Sequence, residues 1–212
     1  NYDDAIHSFC HCLPNTWHLM SVMLSCTSNI NWFINTFDSS IDEISNYLKD
    51  SMSSDALMNN SPYYLPYLTG ERTPLNDPHV RASFHNMGIE TDRKTLVYSL
   101  IEGISFGLYD NYQALSKTGI KLNNLFVIGG GSKNKDWIRL LASILDRDLA
   151  ITEASDAMAA YGAARLAYLG YNNLNHQDVL KSPSVKEIIK KSNNTKSILQ
   201  DRFVEWKKYY VN

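Results

Sequence analysis

The chain has 212 residues, of which 44% are hydrophobic and 20% charged, with a formal net charge of −2. That composition suits one soluble, globular domain and argues against disorder. With no basic run longer than the Lys190-Lys191 and Lys207-Lys208 pairs, it excludes a nucleic-acid footprint and a charged membrane patch. No apolar stretch approaches the roughly 20 residues that span a bilayer, and the acidic, polar start is unlike a signal peptide.

Ile6 to Leu13 and Thr16 to Leu24 read as strands separated by a Pro14-Asn15 turn. All three cysteines (Cys10, Cys12, Cys26) lie here, an odd number without framework spacing, which points to reduced thiols and a cytoplasmic location. His7, Cys10, His11, Cys12 and His18 suggest a metal cluster, but strand alternation puts His7, Phe9 and His11 on one face and Cys10 and Cys12 on the other. The would-be ligands are split, and no metal site is expected.

Ile30, Phe33, Ile34 and Phe37 fall at helical spacing, as do Ile41, Ile44 and Leu48, with Ser39 or Ser40 as the N-cap between them. Ser51 to Ser61 reads as a loop or short helix, and Tyr63 to Leu68 as an apolar strand entering the turn-rich Thr69 to Pro74. Asp92 to Thr118 is the clearest helix, capped by Thr91 or Asp92 and stopped by Gly119. Inside it Gly103 and Gly107 share a face. Each costs about 1 kcal/mol relative to alanine, so a close neighbour, expected to be another helix, is the reason for them.

From Asn124 the pattern becomes strand (Asn124 to Ile128), glycine turn (Gly129 to Gly131), helix (Asn134 to Leu145), strand (Leu149 to Thr152) and an alanine-rich helix from Asp156 to Leu169, capped by Ser155. This alternation implies a sheet with a parallel portion covered by helices. Tyr171 to Asn194 reads as loop, and Ile198 to Tyr210 as a closing helix. Without repeat or linker, residues 1–212 are expected to form one domain.

The glycine turn carries chemistry on its own terms. A strand ending in three glycines before a helix leaves backbone N–H groups around a concave turn that a nucleotide can approach closely. Asn134 can cap the helix and hydrogen-bond a ligand. The alternative is a tight turn without ligand. The segment is neither a Walker A motif, since no Gly-Lys-Ser/Thr follows, nor G-x-G-x-x-G, since Asn134 stands at the third glycine. No G-x-S-x-G elbow occurs either.

Leu65-Pro66-Tyr67-Leu68-Thr69-Gly70-Glu71-Arg72-Thr73-Pro74 with Asn76-Asp77-Pro78 resembles the L-P-Y-L-S-G-E-R-T-P-x-N-D-P stretch of bacterial xylulokinases. His7 to His11, Trp17 to Met20, Leu100 to Gly103, Ile128 to Ser132 with Trp137, and Gly162 to Ala167 resemble further segments of that family in the same order. The resemblance to two-domain carbohydrate kinases implies an α/β fold: an actin-like (ribonuclease H-like) ATPase domain, a mixed sheet flanked by helices, without its upstream partner domain and first strand. It implies ATP or ADP with Mg²⁺ as cofactors and a ketose, D-xylulose first, as phosphoryl acceptor. The sugar is held mainly by the other domain. Gly129, Gly130, Gly131 and Asn134 carry over as nucleotide contacts. So do Thr27 and Asn31, by likeness to related glycerol kinases, although a helix N-cap also explains Thr27. The general base of the family, an Asp in a glycine-rich segment, does not occur in this sequence, so no catalytic residue is assigned and the chain alone is expected to be inactive. Glu102 is expected to be structural, and Glu71-Arg72 a local ion pair or a latch to the other domain. Ala82, Asn86 and Met158 depart from the family pattern, Asn86 being able to keep a left-handed turn. A different sugar or polyol as substrate, or a non-catalytic nucleotide-binding module, are the other readings. An unpaired sheet edge would favour self-association.

Overall fold

The structure, a computed structural model, describes residues 6–153 and 155–210. Strands β1 (His7–Cys10) and β2 (Trp17–Met20) form an antiparallel hairpin with His7 opposite Met20 and Cys10 opposite Trp17. Both are shorter than the apolar pattern predicts. Asn15 closes the turn at φ 55°, a left-handed conformation that asparagine tolerates. On the shared face the rings of His7, Phe9 and His18 stack at 5.7 Å spacings, and His11 meets His18 edge-on at 6.1 Å. Among the described residues no group of three metal-ligating side chains comes together.

Helices α1 (Ser28–Phe37), α2 (Ile41–Ser51) and α3 (Asp55–Asn60) follow. Ser40 caps α2 by accepting the Glu43 N–H at 3.1 Å, and Ser54 caps α3 by accepting that of Leu57 at 3.2 Å. Strand β3 (Tyr63–Leu65) pairs antiparallel with β4 (Ser83–His85), Tyr64 opposite Phe84. Three residues are too few to carry a strand period, so β4 is invisible in the sequence. Asn86, just after it, adopts φ 61°, the left-handed turn expected of it, whereas Ala82 does not lie in that region.

The connection between β3 and β4 is clamped by Glu71. Its backbone exchanges two hydrogen bonds of 2.9 Å with Asp77, and its carboxylate Oε1 accepts the N–H groups of Leu24 (3.1 Å) and Arg72 (2.7 Å). The expected ion pair with Arg72 does not form. The Arg72 guanidinium turns away and donates to His7 Nε2 at 3.0 Å and Asn76 Oδ1 at 2.6 Å. Glu71 is 2% exposed, and its Oε2 has no hydrogen-bond partner. Burial therefore raises its pKa above the ordinary value, against the lowering effect of the two backbone donors.

Helix α4 (Arg93–Lys117) is the spine. An Asp92/Thr95 capping box starts it, and Gly119 at φ 83° follows its end. Its middle, Val97 to Gly107, is buried on every side, as expected of a helix enclosed by other elements. A Cβ on Gly103 would come within 2.2 Å of the Tyr64 carbonyl oxygen, and one on Gly107 within 2.9 Å of Met23 Cε. The glycines thus admit β3 and the segment after β2, not another helix as the sequence suggests. Beside Gly103, the buried Glu102 carboxylate accepts two hydrogen bonds from Arg202 on α8 (Lys196–Lys208), at 2.7 and 2.6 Å, and one from the Tyr98 hydroxyl at 3.0 Å. Arg202 also donates to the carbonyls of Ser61 (3.1 Å) and Pro62 (3.3 Å) and lies 4.4 Å over the Tyr63 ring.

The second layer is a three-stranded sheet, β5 (Phe126–Val127), β6 (Leu149–Thr152) and β7 (Val185–Ile189), in that order. β5 and β6 are parallel and β6 and β7 antiparallel, which makes it the mixed sheet expected. Helix α5 (Lys135–Leu145) covers one face, packing Ile138, Leu141 and Ala142 onto Leu149, Ile151 and Ile189. β7 corrects the loop reading of residues 171–194. Lys186 and Glu187 mask its strand character because an edge strand turns half its residues to water. Helix α6 (Met158–Tyr171) begins later than expected, its N-cap position is Ala157, and no side chain caps it. Ser155 instead accepts the Gly129 N–H on its carbonyl at 2.7 Å and meets the Ser132 hydroxyl at 3.0 Å. Helix α7 (His176–Val179) links α6 to β7. No helix among the described residues is long and apolar enough to cross a membrane.

Two outcomes follow from the buried charges. Arg202→Met leaves the Glu102 carboxylate buried and unpaired and should cost about 3–5 kcal/mol in urea denaturation. Adding Glu102→Gln should recover part of that loss, whereas simple additivity would contradict the coupling. For Glu71 the folded pKa lies above the unfolded value, so its contribution is fully present below the unfolded pKa and is lost as pH rises through the folded one. The stability of the parent minus that of Glu71→Gln should therefore fall as pH rises above the ordinary glutamate pKa of about 4.3; a flat difference would refute the assignment.

Candidate functional site

The three consecutive glycines differ in what constrains them. Gly129 has φ +87°, which only glycine adopts without strain. Its carbonyl accepts the N–H and the hydroxyl of Ser132, at 3.1 and 2.7 Å, winding Gly130–Lys133 into a single 3-10 turn. Gly131 has an ordinary backbone, but an added Cβ would lie 2.9 Å from Trp137 Cζ3, so the indole occupies its side-chain space. Gly130 has neither constraint. Its φ is ordinary, and a Cβ there would meet nothing within 4 Å. Nothing inside the chain requires residue 130 to be glycine, and it opens onto a cavity.

That cavity, of about 450 Å³, lies between α1, α2, α4 and the glycine turn. Its apolar lining comes from Ile30, Ile41, Ile44, Ile101 and Trp137. Its polar lining comes from Thr27, Asn31, Ser45, Lys133 and Asn134, with the backbone of Gly130 and Gly131. Five of the six residues expected at a site from the sequence thus share one cavity although about 100 positions separate Thr27 and Asn31 from the glycines. Gly129 is the exception; it shapes the turn without reaching the wall. Met158 does not line the cavity either.

Asn134 caps α5: its Oδ1 accepts the Trp137 N–H at 3.0 Å, while its Nδ2 donates to Ser45 Oγ at 3.1 Å. The Ser45 hydroxyl in turn donates to the Ile41 carbonyl at 2.8 Å. The amide is thereby fixed in orientation and joins α2 to α5 across the cavity mouth. The Trp137 indole is held flat by its own bond, Nε1–H to Ser105 Oγ at 3.0 Å, and is 5% exposed. Thr27 stands at the N-cap position of α1 in helical geometry (φ −72°, ψ −15°) and makes no side-chain capping bond, so its hydroxyl is not spent on the helix. Asn31, four residues on, shares its face.

Lys133 escaped the sequence reading. It is the only charged side chain on the cavity wall among the described residues, and the signal for it was plain: the first basic residue after the glycines. An apolar slot against an indole with a polar rim suits a planar heterocycle carrying hydrophilic substituents, and the volume lies within the range of small-molecule pockets. A larger cleft, of about 610 Å³, lies over the open sheet face at Phe126, Ala150 and Ile188. Its charges already satisfy one another: Lys191 and Lys196 bind Asp146 at 2.6 and 2.8 Å, Lys190 binds Asp148 at 2.7 Å, and Arg147 donates to the carbonyls of Leu122 and Asn123. It offers a ligand few free groups.

Comparison with known proteins shows which family the chain resembles. Residues 1–171 match the model of the FGGY family of carbohydrate kinases, C-terminal domain. The chain is 34% identical over 170 residues to the xylulose kinase of Escherichia coli, covering 80% of this chain and 34% of that protein. With the xylulose kinase of Staphylococcus xylosus the identity is 32% over 211 residues, covering 98% of this chain and 43% of the relative. Among solved structures, a xyloylose kinase from Brucella ovis superposes with a TM-score of 0.87 at 32% identity, over 98% of this chain and 42% of that one. The chain therefore spans less than half the length of these relatives. Its actin-like fold, and the match over four-fifths of its length, place it in the FGGY family of carbohydrate kinases, as a C-terminal domain of that family.

Proposed function

We propose that the cavity beside the glycine turn binds the nucleotide of a sugar kinase, and that the phosphoryl acceptor of the intact kinase is D-xylulose. The single observation that carries the nucleotide reading is Gly130, a glycine without internal cause whose missing side chain leaves the cavity wall open. Adenine fits the slot between Trp137 and the isoleucines of α1, α2 and α4. Asn134, Thr27 and Asn31 supply hydrogen-bonding groups around it, and the bare backbone of Gly130 and Gly131 lets the phosphate-bearing part approach.

The acceptor assignment is supported by the names of the relatives and by the Gly70 to Pro74 segment, both of which are xylulose-kinase-like. Phosphoryl transfer depends on positioning and on charge stabilisation, with a base orienting the attacking hydroxyl. The residues described here supply the nucleotide side of that arrangement. Mg²⁺ arrives with the phosphates, as is usual for an ion that keeps most of its ligands as water and phosphate oxygen. On its own the 212-residue chain is expected to bind ADP or ATP without producing ADP in a xylulose-dependent manner.

The three glycines allow a sharp test. Gly130→Val should weaken ADP binding at least about tenfold by calorimetry and leave the melting temperature near that of the parent. Gly129→Ala should cost about 1–2 kcal/mol of stability through its left-handed backbone. Unchanged ADP affinity in Gly130→Val would remove the reading's main support.

A further inference from the structure

We infer that Lys133 is the group by which this cavity selects a nucleoside phosphate over the bare nucleoside, and that Asp156 holds its ammonium at the rim until the anion displaces it. The inference rests on the nucleotide reading of the cavity and adds a residue and a function to it.

Among the described residues, Lys133 brings the only charge to a wall otherwise made of isoleucines, an indole, amides, hydroxyls and bare backbone. It closes the same 3-10 turn whose Gly130 and Gly131 face the cavity, so the ammonium and the open backbone serve one space. Its partner is Asp156, Nζ to Oδ2 at 3.2 Å, with the two side chains 70% and 54% exposed. An ion pair so exposed is weak and screened by salt. A diphosphate, with more charge and several acceptor oxygens, outcompetes a single carboxylate for the ammonium.

Asp156 is not placed there at random. Its neighbour Ser155 accepts the Gly129 N–H at 2.7 Å and meets the Ser132 hydroxyl at 3.0 Å, so the segment carrying the aspartate is tied to the glycine turn itself. The pair therefore sits on two backbone segments fixed to each other. The lysine can leave the aspartate by side-chain rotation alone, with no movement of the fold.

The test is a set of calorimetric titrations of the 212-residue chain with adenosine and with ADP. The parent should bind ADP more tightly than adenosine. Lys133→Gln should lower ADP affinity about tenfold and leave adenosine affinity unchanged, while Lys133→Arg retains the ADP advantage. Asp156→Asn should tighten ADP alone, and the ADP advantage should shrink as salt is raised. Both side chains are exposed, so melting temperatures should stay near the parent's. If adenosine and ADP bind the parent but Lys133→Gln leaves their ratio unaltered, the role of Lys133 is overturned and the nucleotide site stands. If neither binds the parent, the nucleotide reading falls and this inference with it.

Discussion

Three elements of the chain meet at one atom, the carbonyl oxygen of Tyr64 on β3. Helix α4 approaches it so closely that a Cβ on Gly103 would lie 2.2 Å away, and the Trp206 indole of α8 donates to it at 2.7 Å. No side chain can be accommodated at position 103, because the obstacle is backbone rather than a movable rotamer. The Glu102–Arg202 pair, one residue along α4, then fixes the helix against both rotation and sliding. Arg202 binds the carboxylate with two nitrogens and spends its remaining donors on the carbonyls that lead into β3. A buried pair of this kind contributes little net stability relative to apolar packing, but it specifies one register.

That register sets the cavity wall. Helix α4 offers Tyr64 its glycine face and the cavity its opposite margin, where Ile101 lines the wall and Ser105 holds the Trp137 indole. Trp137 fills the space beside Gly131 and starts α5, whose cap Asn134 reaches across to Ser45 on α2. Each polar group on this path has its partner assigned. The groups left over at the cavity are the Thr27 hydroxyl, the Asn31 amide, the second N–H of Asn134 Nδ2, the Gly130 backbone and the loosely paired Lys133, and they are the ones a ligand would engage.

Much of this was legible in the sequence, and the failures have physical causes. Helices α4 and α5 carry several turns of period and recognisable caps, so Asp92, Asn134 and Gly119 could be read directly. The order of motifs identified the family. β4 and β7 were missed because an edge strand of three to five residues, half of it polar, has no distinctive pattern. Ser155 was misread as a helix cap because any serine before an alanine-rich run looks like one, and its true partner lies 26 residues back, at Gly129. The partner of Glu102 was hidden by a separation of 100 residues. The three glycines are adjacent and identical in sequence, and only the fold separates the one that serves the turn from those beside the tryptophan and the cavity.

The proposal on which the rest turns is that the space between Trp137 and the glycine turn is a nucleotide site. A crystal structure of the chain grown with ADP tests it most directly. The purine should lie against Trp137 and Ile44, with the phosphates at Gly130 and Lys133. ADP seated over the open sheet face at Phe126 and Ala150, with the Trp137 slot holding only solvent, would contradict it.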